Sequence, residues 1–232
     1  MRKLKKYVAY FSLLEWTLWV VSCVAIVTAF LCFDRSNVLT LIASLIGVTS
    51  LLFYAKGNPI GNVLMIGFCI CYAVISYSYA YYGEMLTYLG MALPMTVVGL
   101  ISWYKNPYEK GKSEVKVNHI QPKEYAFMAG LTIAVTVAFY FILEALGTAN
   151  VWISTISVAT SFIPAYLTFR RSPYYALGYA CNDVVLIVLW LMASLENTSY
   201  IAVTVCFIAF LVNDTYGFIC WRKMSKRQSN QT

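Results

Sequence analysis

The stretch from Ser172 to Met224 reads SPYYALGYACNDVVLIVLWLMASLENTSYIAVTVCFIAFLVNDTYGFICWRKM, and its reading decides the fold. It holds two apolar runs, each long enough to cross a bilayer, which takes about 20 mostly apolar residues. Each run carries one amide-acid pair at depth, Asn182-Asp183 and Asn213-Asp214. An Asp near the bilayer centre costs about 2.5 to 3.5 kcal/mol on insertion scales, so such residues face a bundle interior and have partners or work there. Two pairs on neighbouring spans point to a polar ligand site inside a membrane bundle. The rival reading is interhelical hydrogen bonding alone, worth on average about 0.6 kcal/mol per contact.

The rest of the chain has the same character. Of its 232 residues 60% are hydrophobic and 12% charged, and its mean hydropathy is +0.67; soluble domains carry about 25% charge. The pattern predicts an all-α integral membrane protein with eight spans, at about 12–33, 38–55, 59–80, 84–104, 124–146, 150–169, 173–195 and 199–221. These use nearly the whole sequence and leave no room for a soluble catalytic domain. The first is too long for a signal peptide and lacks a small-residue cleavage site after it.

Lys and Arg collect in alternate connections: Arg2, Lys3, Lys5 and Lys6; Lys56; Lys105, Lys110, Lys112, Lys116 and Lys123; Arg170 and Arg171; Arg222, Lys223, Lys226 and Arg227. Only Arg35 falls on the other side. Short cytoplasmic loops keep positive charge, so a multi-pass protein with both termini in the cytoplasm is expected. The net charge of +7 then reflects topology and attraction to anionic membrane lipid. With no basic face outside these loops, nucleic acid is not an expected partner. The seven cysteines all fall within spans without a CxxC spacing and read as small packing residues, and His119 stands alone in a basic loop. No metal site and no cofactor is expected.

The chain also repeats itself. Ile42-Ala43-Ser44 through Ser50 echoes Ile153-Ser154-Thr155 through Ser161; Asn58-Pro59 echoes Ser172-Pro173; Gly99 through Trp103 echoes Gly217 through Trp221. The offset drifts from 111 to 114 to 118 residues, as insertions produce. Each copy is three helices and one helix lies between them, so the copies share an orientation. This parallel 3+1+3 plan with one extra N-terminal helix resembles the SWEET-type transporters. The expected division is an anchor helix at 1–36, a first repeat at 37–105, a loop and linker helix at 106–149, a second repeat at 150–224 and a cytoplasmic tail at 225–232. Pro94 and Pro164 mark places where spans four and six bend.

Within the sixth span Asn150, Ser154, Ser157, Ser161, Pro164 and Thr168 share roughly an 80° arc at 100° per residue. A polar stripe that long does not face lipid. In the seventh, Tyr175, Tyr179, Asn182, Asp183 and Trp190 share roughly a 100° arc, with the amide-acid pair near the midplane. Tyr72 is the deepest tyrosine of the third span. The expected substrate-binding residues are Asn182, Asp183, Tyr179, Trp190, Asn213, Asp214, Ser157 and Tyr72: rings for stacking, amides and carboxylates for hydrogen bonds. No catalytic residue is expected.

Lys56-Gly57-Asn58, Tyr82-Gly83-Glu84, Gly99 with Trp103, Arg171-Ser172-Pro173, Asn182-Asp183, and Asn213-Asp214-Thr215-Tyr216-Gly217 with Trp221 together resemble the PnuC family of vitamin and nucleoside transporters, over roughly residues 38–224. The resemblance implies a SWEET-like fold in a bacterial inner membrane. It also implies uptake of nicotinamide riboside or a related dephosphorylated nucleoside or vitamin by facilitated diffusion, with a cytoplasmic kinase trapping the substrate. The nicotinamide riboside branch carries W-x-x-W-x-x-x-D entering the seventh span, where this chain has Ala176 and Tyr179 before Asp183. Deoxyribonucleoside and thiamine carriers of the family are therefore alternatives. More distant ones are a membrane enzyme using Asp183 and Asp214 as acid and base and a non-transporting signalling or scaffold protein. Oligomeric state, a homo-oligomer included, is left open.

Overall fold

The computed structural model describes residues 10–148 and 150–231; the basic cluster Arg2, Lys3, Lys5 and Lys6 lies outside the described residues. Among these, eight helices are long and apolar enough to cross a membrane: α1 (Leu13–Phe33), α2 (Val38–Ala55), α3 (Ile60–Ser78), α4 (Tyr82–Lys105), α5 (Pro122–Ala145), α6 (Val151–Phe169), α7 (Tyr175–Glu196) and α8 (Ile201–Ser229). Their ends follow local chemistry. Ser12 and Glu15 form a reciprocal capping box for α1, Asn37 accepts from Thr40 N to start α2, and Pro122 opens α5, where a missing N–H costs nothing.

Two proline sites behave differently. In α4 a π-helical turn, Thr87–Ala92, precedes Pro94, so a widened turn absorbs the lost backbone bond instead of a mid-span kink at the proline. In α6, Pro164 stays inside the helix and Thr168 Oγ1 donates to its carbonyl at 2.8 Å. Gly178 of α7 packs on that proline: a Cβ there would sit 3.0 Å from Pro164 Cβ, a tighter contact than nearly all side chains make, and glycine relieves it.

The α2–α3 and α6–α7 connections, both at the basic end, are built alike. Gly57 has φ +63° and Arg171 φ +57°, the left-handed region that suits Gly and strains Arg. Arg171 is held there by Asn118 N to its carbonyl at 3.0 Å, by its own Nε to Lys116 O at 3.1 Å and by Nη1 to Ser102 Oγ at 2.8 Å. Just before each turn a helix-end carbonyl accepts an indole: Trp103 Nε1 to Thr168 O at 2.8 Å and Trp221 Nε1 to Tyr54 O at 2.7 Å. Each tryptophan thus reaches across to the other three-helix unit.

Residues 106–121 are a packed cap rather than a slack linker. Val115 and Val117 are buried, Val115 N donates to Gly57 O at 2.9 Å, and Gln228 bonds the backbone of both valines. The physical cause is the alternation Val115-Lys116-Val117, which turns two apolar side chains toward the bundle. The same contacts explain why α8 continues to Ser229 instead of ending in a separate tail from 225: its last turns clamp this cap, with Arg227 paired to Glu114. At the periphery α5 is the least enclosed span, only 11% buried; Glu124, held by Arg170 and Tyr166, ties it to α6.

Candidate functional site

A cavity opens at mid-depth between the two units. Its wall is built from Leu51 and Tyr54 of α2, Met65, Phe68 and Cys69 of α3, Tyr88, Ala92 and Thr96 of α4, Ser161 of α6, Tyr175, Tyr179, Asn182 and Asp183 of α7, and Phe207, Phe210 and Asp214 of α8. The open space is narrow, about 40 Å³, room for a few waters. No Lys, Arg or His is among the lining residues. Aromatic layers close it at both ends. Toward the basic end lie Tyr54, Trp103, Tyr175 and Trp221, with Tyr175 and Trp221 ring centroids 4.8 Å apart. Toward the far end lie Tyr79, Tyr81, Trp190 and Tyr200, with Tyr81 and Trp190 at 4.9 Å and Tyr79 and Tyr200 at 4.5 Å.

Four expected residues meet on this wall: Asn182, Asp183, Tyr179 and Asp214. Asn182 accepts at Oδ1 from Thr160 Oγ1 at 2.8 Å and Ser161 Oγ at 2.9 Å. Two hydroxyls occupy both lone pairs of that oxygen, so the group turned to the cavity is the amide NH2, a donor only. Asp183 and Asp214 both line this wall and both are buried. Asp183 Oδ2 and the Tyr175 hydroxyl, both on the wall, have no protein partner. Buried polar groups are normally paired, which makes these two atoms candidate ligand contacts.

The other four expected residues lie elsewhere. Trp190 and Tyr72 satisfy each other, Nε1 to OH at 2.7 Å, and stand behind Phe68, Tyr88 and Phe207. Ser157 donates to Glu84 Oε1 at 2.8 Å and closes a buried polar contact between α6 and α4. Asn213 turns away to α1, donating to Ser22 Oγ at 2.9 Å. On α8 Asp214 lines the cavity, and Asn213, 100° round the helix from it, points at α1; the equally spaced pair on α7 brings both members to the wall, so the rotation of each helix and not the spacing makes the difference.

The aromatic walls Phe68, Tyr88, Phe207 and Phe210 were absent from the expected set. A signal existed on α8, because Phe207, Phe210 and Asp214 share one face at i, i+3 and i+7. Gly47 makes room for this wall, since a Cβ there would come 2.3 Å from Phe210 Cζ and 2.9 Å from Phe68 Cδ2.

Known proteins resemble the chain in both sequence and fold. It is 25% identical over 218 residues to the nicotinamide riboside transporter PnuC of Neisseria mucosa, covering 92% of this chain and 82% of that one. To the nicotinamide riboside transporter PnuC of Haemophilus influenzae it is 23% identical over 190 residues, covering 82% and 81%. A crystal structure of the vitamin B3 transporter PnuC superposes with a TM-score of 0.82 over 94% of both chains at 22% identity, so the fold is shared. The model of the nicotinamide mononucleotide transporter family matches residues 37–223. That match runs from α2 into α8 and takes in every residue of the cavity wall, and the chain therefore belongs to this family, the PnuC transporters.

Proposed function

We propose that the protein carries nicotinamide riboside, or a closely related dephosphorylated nucleoside or vitamin, across a bacterial inner membrane by facilitated diffusion. The observation that carries this reading is the cavity: rings for a flat heterocycle, one amide donor, two carboxyls and no basic side chain. The curated relatives named for nicotinamide riboside agree with it. A thiamine or deoxyribonucleoside substrate is the second reading, favoured by Ala176. That residue, which stands where the nicotinamide riboside branch carries tryptophan, is fully buried and its Cβ lies 3.6 Å from where a Gly217 Cβ would stand, so the space beside α8 takes no tryptophan.

The family description names the mononucleotide, and the wall argues against it. A phosphate needs Arg, Lys or a run of N–H donors, and leaving a buried charge unpaired costs several kcal/mol. Purified protein in liposomes is expected to move nicotinamide riboside at least roughly a hundredfold faster than its mononucleotide. Comparable rates would overturn the dephosphorylated-substrate reading.

For the mechanism we propose rocking of the two three-helix units about the cavity, with α5 as tether and both termini in the cytoplasm. Its support is the narrowness of the cavity, the aromatic closure at each end and the two indoles that cross between units. Inward opening breaks the Trp103 and Trp221 bonds, and outward opening parts Tyr79 from Tyr200. In a cysteine-free background, Tyr79→Cys with Tyr200→Cys should crosslink in whole cells with a membrane-impermeant reagent, because that end faces outside. Uptake should then stop and return on reduction. Full crosslinking with undiminished uptake would sink the rocking model, and no reaction from outside would reverse the orientation. A cytoplasmic kinase that phosphorylates the arriving nucleoside would make the uptake one-way.

A further inference from the structure

We propose that the Tyr175 hydroxyl is a specificity-determining contact, which takes the primary hydroxyl at the end of the substrate and turns that end toward the basic side of the bundle. The inference rests on the substrate reading above and names the part of the substrate that this corner of the cavity recognises. Tyr175 is 1% exposed, its hydroxyl has no protein partner, and it belongs to the cavity wall. Its ring is packed among Tyr54, Trp103 and Trp221, with centroids at 5.9, 6.4 and 4.8 Å. The hydroxyl is therefore fixed in place before a ligand arrives, and as both donor and acceptor it suits an alcohol.

The order of groups along α8 sets which end of the ligand reaches it. Phe207, Phe210, Asp214 and Gly217 fall within about an 80° arc of the helix, and the chain runs along them from the far end to the basic end. The wall rings come first, then the acid, and then a bare glycine that faces the Tyr175 hydroxyl. Asp183, with its unpartnered Oδ2, lies two turns up α7 from Tyr175, about 12 Å along the axis. A heterocycle thus finds its rings, and a cation its carboxyls, in the outer part of the cavity. Only a neutral hydrogen-bonding group is left for the inner end. The gap there is small: a Cβ on Gly217 would stand 3.8 Å from the Tyr175 hydroxyl, 3.6 Å from Ala176 Cβ and 4.0 Å from Ala55 Cβ. One hydroxyl-sized group has room in it and a phosphoryl group does not. Nicotinamide riboside, the deoxynucleosides and thiamine all end in a primary alcohol, and in the mononucleotide it is this oxygen that carries the phosphate.

The 5′-deoxy analogue of nicotinamide riboside lacks only that oxygen. Titration calorimetry should find that it binds the parent roughly three- to tenfold more weakly than the riboside does, the worth of one neutral hydrogen bond. Tyr175→Phe should lose the same factor on the riboside and nothing further on the analogue, because the two deletions remove one shared contact. The 2′-deoxy analogue serves as the control, and its loss should be the same on the parent and on Tyr175→Phe. Gly217→Ala fills the gap with contacts of ordinary length and should likewise weaken the riboside and spare the 5′-deoxy analogue. Both variants should fold with no drop in melting temperature, since one removes an unpaired buried hydroxyl and the other puts alanine for glycine within a helix. If Tyr175→Phe bound the riboside as the parent does, or weakened riboside and 5′-deoxy analogue equally, the contact would be overturned and the transport reading left standing. Unchanged riboside affinity in Gly217→Ala would overturn the placement of the alcohol in the gap. Failure of the parent to bind nicotinamide riboside at all would remove the substrate reading and this inference together.

Discussion

Asp183→Asn is expected to weaken binding of nicotinamide riboside by roughly ten- to a hundredfold, and binding of a neutral deoxynucleoside by no more than about threefold. Asp183 carries the carboxyl oxygen on the wall without a protein partner. A unit charge about 4 Å away is worth about 4 kcal/mol at an effective dielectric of 20. Asp214 remains as a second, more distant acid, and its partial compensation brings the loss down to about 1.4 to 2.8 kcal/mol. A neutral nucleoside loses only one acceptor for another, because asparagine keeps a carbonyl oxygen of the same shape. Titration calorimetry with both ligands on both proteins decides the matter. Equal losses would show that Asp183 contributes shape or hydrogen bonding and not charge, and would move the substrate preference toward the neutral nucleosides.

Asn182→Ala should cost roughly five- to a hundredfold in affinity for every substrate, charged or neutral. With its oxygen already engaged by Thr160 and Ser161, the side chain offers the cavity an NH2 whose orientation is set before the ligand arrives. Removing it leaves a ligand acceptor unpaired, a penalty of about 1 to 3 kcal/mol. The variant should still fold. Thr160 Oγ1 also bonds Ile156 O at 2.9 Å and falls back on it, so one hydroxyl at most is orphaned. Asn182→Asp separates the two effects, since it keeps an acceptor for Thr160 and Ser161 but removes the donor. Binding by Asn182→Ala equal to the parent's would return the residue to a purely helix-joining role.

The contrast between Asn182 and Asn213 shows where sequence reasoning ended. Both sit in apolar spans beside an Asp, and insertion cost alone places both inside the bundle, where each is buried. Their hydrogen-bond partners then differ. Asn182 is held by α6, one helix back in the chain, whereas Asn213 is held by Ser22, 191 residues away. Likewise Trp190 and Tyr72 had the right depth and chemistry for a ligand box, but the bond between them, across 118 residues, makes them part of a closure.

Hydropathy is a local sum over about 20 residues, so the spans, the basic connections and the burial of the acids could be read directly from the chain. How far each helix rotates about its axis is a different matter. Lipid and protein interior are equally apolar, so a span such as α8 with Phe207, Ile208, Phe210, Leu211 and Val212 in succession carries no hydrophobic stripe to say which side turns inward. That rotation is set by close packing between helices distant in sequence: Gly47 against Phe210, Gly178 against Pro164, α1 against Asn213. It alone decided that Asp214 meets Asp183 at the cavity while its neighbour Asn213 does not.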